Sequence, residues 1–119
     1  MATLIIQPPI PAPLIISNNS DLNTLKPYTN GQTKEYLINN CLNLINSPYH
    51  AEAPAHIYVG NISASFKVEY YFQILIAYSN NTAPNIYYRT KYWAGQNPDG
   101  TYNYNWGQWY KIDSTIVNS

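Results

Sequence analysis

The sequence predicts an all-β fold: a small antiparallel β-sandwich behind an extended, Pro-rich N-terminal arm. Strand-length apolar and aromatic runs recur through the second half of the chain, with turn residues between them. Several of these runs alternate in polarity with a period of two, sending successive side chains to opposite faces. No helical pattern separates them, so the strands have one another to pair with. At 119 residues the chain fits one domain with a modest core.

Residues 1–17 read as the arm, and residues 18–119 as the sandwich domain. Pro8, Pro9, Pro11 and Pro13 forbid helix and disfavour a central strand. Yet Leu4, Ile5, Ile6, Ile10, Leu14, Ile15 and Ile16 are too apolar for a free linker, so the arm must lie against its own domain, a sister subunit or a preceding segment. In "SNNSDLNTL" a short helical turn over Asp21–Leu25 is expected, capped by Ser20 or Asp21. Asn30-Gly31, between two strand-compatible runs in "KPYTNGQTKEYLI", signals a hairpin. "LINNCLNLINSP" fits a helical face, but its asparagines lower that propensity, and strand or loop is expected instead.

From residue 56 five runs read as strands: "HIYVGNI", "SFKVEYY", "FQILIAYS", "NIYYRTKYW" and "WGQWYKI". In the second, Phe66, Val68 and Tyr70 oppose Lys67, Glu69 and Tyr71. In the fourth, Ile86, Tyr88, Thr90 and Tyr92 oppose Tyr87, Arg89, Lys91 and Trp93. "FQILIAY" is apolar on both faces except at Gln73, as a central strand covered on both sides would be.

Charged residues are only 10% of the chain, and six basic side chains cancel six acidic ones. That balance leaves no electrostatic footprint for nucleic acid or anionic lipid. The arm's prolines break any apolar helix there, so a soluble chain without membrane insertion is expected. Cys41, the lone cysteine, excludes an intramolecular disulfide and reads as a buried, inert thiol.

Catalysis finds little support. His50 and His56 flank Glu52 in "HAEAPAH", but a proline intervenes and no further His or Cys completes a metal site. "NPDGTYN" lacks the acidic ligands of a calcium loop and reads as a hairpin turn. Asp21, Glu35, Glu52, Glu69, Asp99 and Asp113 are scattered, with no marked pair for glycoside hydrolysis. No nucleophile elbow, phosphate loop or dinucleotide fingerprint occurs. A non-enzymatic protein with no cofactor and no metal is expected.

The aromatics remain. Thirteen tyrosines and three tryptophans are present, and many fall between Tyr87 and Tyr110. Alternation along a strand prevents all of these rings from entering one small core. Trp93, Tyr102, Tyr104, Trp106 and Trp109, with Asn97 and Asp99 beside them, are the candidate ligand-binding residues. Flat rings suit the C–H faces of sugars, and amide or carboxylate groups suit hydroxyls. The same equipment suits a protein–protein seam, because Tyr and Trp dominate interface hot spots.

Asp21, Leu22, Asn23 and Leu25, then Gln73 and Leu75, then Tyr87–Thr90, then Trp106, Trp109, Lys111 and Ile112 form an ordered set. In order and spacing it resembles the pyocin-knob type of domain in phage and R-type pyocin tail fibres, over about residues 21 to 112. The resemblance implies a knob-like sandwich in a homotrimeric fibre. It also implies a place in the virion, at a phage tail-fibre tip among other tail-fibre or baseplate proteins, and attachment to a bacterial surface glycan. Arg89 and Lys111 would be fold-stabilising positions. The chain departs from the family in its long "WAGQNPDGTYNYNW" connection, expected to be an extended tip loop carrying specificity. The function expected is host attachment through carbohydrate binding. The alternatives are a structural or oligomerisation module of the tail or fibre without direct glycan binding, and a carbohydrate-binding module of a secreted hydrolase.

Overall fold

Alternation of side chains builds one broad sheet. The computed structural model describes residues 12–65, 67–80 and 84–113. Its strands are β1 (Leu14–Ile16), β2 (Lys34–Ile38), β3 (Ala55–Asn61), β4 (Tyr71–Ala77), β5 (Asn85–Gln96), β6 (Tyr102–Trp106) and β7 (Tyr110–Lys111). They lie in the order β1-β2-β3-β4-β5-β6, with β7 also paired to β5. Only β1–β2 is parallel; the other pairings are antiparallel. The fold is all-β, as expected.

Register makes the core. Tyr36, Ile57, Leu75 and Tyr87 form one row across the sheet, Ile38, Ala55 and Ala77 a second, and Val59, Gln73 and Arg89 a third. All share one face because partners on adjacent strands point the same way. Leu22, Leu25, Cys41 and Leu44 pack on that face and complete the buried cluster. Each fully buried aliphatic side chain contributes roughly 1.5–3 kcal/mol of transfer free energy.

The covering layer departs from expectation. Instead of a second sheet, loop segments 18–28 and 39–54 cover the core face, so the described strands make a single sheet and not a sandwich. Local side-chain bonds explain why these segments coil. The Asn18 and Asn40 side chains accept from the amides of Asn40 and Leu42, and Ser47 exchanges bonds with Tyr49. Such bonds compete with a ladder for the same backbone groups. The single 3₁₀ turn among the described residues, Leu22–Thr24, is capped by Asp21, whose carboxylate accepts from the Asn23 amide, as the sequence predicts.

Other elements also differ. "SFKVEYY" is not a strand over its described residues: Ile62–Ser65 and Lys67–Tyr70 form a bent connection, only Tyr71 joins β4, and Phe66 lies outside the described residues. Asn30-Gly31 sits in a turn closed by the Gly31 amide on the Tyr28 carbonyl, but only the following segment is a strand. β4 is central yet covered on one face only, since Ile76 is 41% exposed. The long connection expected after Trp93 is a hairpin, because β5 runs on to Gln96 and returns as β6. Its turn is Asn97-Pro98-Asp99-Gly100, closed by the Gly100 amide on the Asn97 carbonyl, with Gly100 at φ +90°. Proline at the first central position and glycine at the left-handed position suit that turn. Of the arm, Leu14–Ile16 joins the sheet as β1, so its last residues lie on their own domain; residues 1–11 fall outside the described residues.

Candidate functional site

Gln73 and Arg89 are the buried polar side chains of the described core. Arg89 Nε donates to Gln73 Oε1 at 2.9 Å, and Gln73 Nε2 donates to the Leu22 carbonyl at 2.6 Å. The Arg89 guanidinium lies between the Trp106 and Trp109 rings, 4.4 Å from each centroid. Each indole then reaches a loop: Trp106 Nε1 donates to the Asn23 carbonyl at 3.3 Å, and Trp109 Nε1 to the Asn46 carbonyl at 2.9 Å. Three side-chain donors of the sheet thus hold three loop carbonyls. Asp21 joins the two loop strands, accepting from the Asn23 amide and from Asn46 Nδ2.

A bulge makes this possible. Lys91 pairs with Trp106 and Tyr88 with Tyr110, leaving one more residue on the β6–β7 side. In an unbroken ladder, tryptophans three apart would point to opposite faces; the bulge lets both face Arg89. The Gly107 amide donates to the Thr90 carbonyl at 2.8 Å, and a Cβ there would stand 3.1 Å from the same oxygen. Burial pushes the Arg89 pKa down to about 10, opposed by the Asp21 carboxylate, so the side chain stays charged at neutral pH. Its Nη2 is the only buried side-chain polar atom without a partner among the described residues.

Beyond Arg89 the same face continues onto the hairpin. Lys91 and Trp93 on β5 share it with Trp106 and Tyr104 on β6. Trp93 meets Tyr102 edge-on with centroids 6.4 Å apart, and Tyr104 meets Tyr70 edge-on at 6.0 Å. Lys91 Nζ sits 5.2 Å from the Tyr71 ring and 2.9 Å from Glu69. Trp93 and Tyr102 are each about half exposed, at 51% and 52%. The result is a strip of rings running from the buried cluster to the hairpin end.

The seven expected site residues therefore divide by task. Trp93, Tyr102 and Tyr104 form the strip. Asn97 and Asp99 hold the turn: Asn97 exchanges amide bonds with Asn103, and Asp99 Oδ1 accepts from the Thr101 hydroxyl and amide. Those Thr101 bonds hold the Asp99 carboxyl below its ordinary range. Trp106 and Trp109 clamp Arg89 and the loops, so their rings are engaged within the domain. Arg89 has the stabilising place expected of it. Tyr70, read in the sequence as part of a regular strand, joins the strip through a long-range ring contact that periodicity does not signal.

Among the described residues no group of three His, Cys, Asp or Glu side chains could hold a metal ion, and no helix is long and apolar enough to cross a membrane. His56 instead pairs with Glu35 at 2.5 Å on the outward face of the sheet. No protein-family model, curated protein or solved structure matches the chain.

Proposed function

We propose that this chain is a non-enzymatic host-attachment domain of a phage tail fibre, binding bacterial surface saccharide through the strip of Trp93, Tyr102 and Tyr104. The observation that carries the reading is that these rings stay outside the core on a hairpin whose geometry is already fixed. Cross-strand pairing fixes the backbone, and neighbouring rings limit the rotamers, so little freedom remains to be lost on binding. Flat rings of this kind suit the C–H faces of sugars, while Gln96 and the turn amides lie at hand for hydroxyls. The order of motif residues, resembling pyocin-knob domains, supports the tail-fibre setting. Single sites of this shallow kind bind weakly, and repetition in a fibre multiplies their effect.

Trp93→Ala and Tyr102→Ala test the reading on a glycan array and on whole bacteria. Each is expected to weaken attachment about tenfold, equivalent to ~1.4 kcal/mol, with an unchanged unfolding midpoint. Full attachment by the double variant would remove the strip from the mechanism.

A second reading is favoured by the opposite face of the sheet. Ile15, Leu37, His56, Ile76 and Ile86 form one row there, and Glu35, Tyr58, Ile74, Tyr88 and Tyr110 another. Ile15, Ile76, Tyr88 and Tyr110 are all exposed. Exposed apolar side chains gathered on one face suit an interaction surface. Its only charge-bearing pair among the described residues is Glu35 with His56, so the face carries little charge for a charged partner to match. Further copies of the same chain, assembled as a trimer, suit such a neutral face. In this reading the chain is an oligomerisation module of the fibre. The two roles sit on different faces and are compatible.

A further inference from the structure

At the root of the hairpin a cleft of about 280 Å³ opens between the loop after the 3₁₀ turn and the beginning of β4. Its walls include Lys26, Pro27, Tyr28, Asn61 and Tyr71. We infer that this cleft is a subsite for one acidic sugar residue, its carboxylate on Lys26 and its ring between Tyr28 and Tyr71. The inference rests on the saccharide-binding reading above and adds to it a ligand class and a place.

Charge is the first ground. No carboxylate lines the cleft among the described residues, and the ion pairs His56–Glu35 and Lys91–Glu69 leave Lys26 out. A second cation stands close behind: Lys34 Nζ lies 5.2 Å from the Tyr28 ring centroid and 5.1 Å from that of Tyr36. An anion entering the cleft thus meets two cations, and no carboxylate among the lining residues.

Shape is the second. The volume lies just under the usual range for small-ligand sites, roughly 300–1,000 Å³, which suits one glycan unit and not a chain. Half-buried tyrosines and a proline offer apolar surface that a bare inorganic anion would not use. The loop is also held in place: the Tyr36 hydroxyl donates to the Lys26 carbonyl at 2.6 Å, and backbone bonds join Tyr28 to Gln32 and Gly31. The Lys26 side chain takes no part in those bonds, so it can be replaced without disturbing the fold.

Continuity is the third. Tyr71 lines the cleft and also bears Lys91 at 5.2 Å, while its neighbour Tyr70 packs on Tyr104 of the strip. A glycan lying along the strip has its next unit delivered to the cleft.

The test is amide-shift titration of the full chain with glucuronate, glucose, acetate and inorganic phosphate, alongside Lys26→Met and Trp93→Ala variants. Glucuronate is expected to shift amides of residues 26–31 and Asn61, with glucose at least about tenfold weaker and glucuronate binding reduced as salt is raised. Lys26→Met should abolish the preference, and Trp93→Ala should leave it intact. Equal response to glucose and glucuronate, or to glucuronate and acetate or phosphate, would overturn the acidic-sugar subsite. So would silence at the cleft while Trp93-dependent glycan binding persists, an outcome that spares the strip. Cleft binding in the absence of any Trp93-dependent glycan binding would instead sustain the subsite and remove the strip.

Discussion

Arg89 shows how much one side chain can organise. Its charge is taken out of water and replaced by two indole faces and one amide oxygen, an environment that suits a planar, weakly hydrated cation better than an ammonium. Arg89→Lys is therefore expected to destabilise the domain by about 2–4 kcal/mol, read as a lower urea midpoint, although the charge is kept. A midpoint within error of the parent would show that the stack contributes nothing. Cys41 gives a pH-dependent counterpart. Burial pushes its thiol up to about 11 from 9.0, so the folded state favours the neutral form. Its contribution is complete below pH 9 and is lost as pH rises toward 11. Urea midpoints for the parent should fall over that window more steeply than those for Cys41→Ala; parallel curves would assign the alkaline loss elsewhere. The same burial predicts no labelling of the native thiol by iodoacetamide and full labelling in urea. The inert character of Cys41 and the cap at Asp21 were legible in the sequence because both depend on neighbours within a few positions. The clamp by Trp106 and Trp109 was not, since each indole bonds a carbonyl more than sixty residues away.

At the scale of elements, the β6–β7 bulge and the hairpin turn decide which rings face inward. Trp109→Ala removes one wall of the clamp that the bulge builds and should cost several kcal/mol, toward the roughly 3–5 kcal/mol of a buried Trp→Ala change, with a matching change in the fluorescence of the folded state. Retention of parent stability would mean that the clamp adds nothing to the fold. Gly100→Ala meets a φ of +90° and should cost about 1–3 kcal/mol, confined to the hairpin. The turn itself was readable from "NPDG", whose residue types match the angles they adopt. β3, β4 and β5 were readable for the same reason, as runs of β-branched and aromatic residues. "SFKVEYY" shows the limit of that logic: its alternation is as regular as that of β5, yet Asn61 bonds the Val68 carbonyl and draws the segment into a bent connection. Periodicity records what a strand would permit and carries no information about which edge is free to receive it. The described strands make one sheet, without the second sheet of the expected sandwich. The sequence shows that strands exist, but the second layer came from asparagine-rich loops whose packing is set by Leu22, Leu25, Cys41 and Leu44 together.

Across the whole molecule, the two faces of the sheet have different fates. One is closed by loops and locked through Arg89; the other presents isoleucines and tyrosines to solvent. Ile76→Asp on the open face should leave the urea transition of a protomer nearly unchanged but dissociate an assembly, which light scattering reads directly. A parent that is monomeric at all concentrations would argue against self-association through this face. The strand order also has a mechanical meaning. The chain enters the sheet at β1, on one rim, while the aromatic hairpin stands on the other. In the proposed attachment role, a pull on the hairpin resisted at the start of β1 must travel through each ladder in turn. The first joint on that route is the shortest full-width one, three residue pairs between β1 and β2. With the fewest pairs on that route, it is the ladder expected to part first in a pulling experiment, with the hairpin at the far rim still folded.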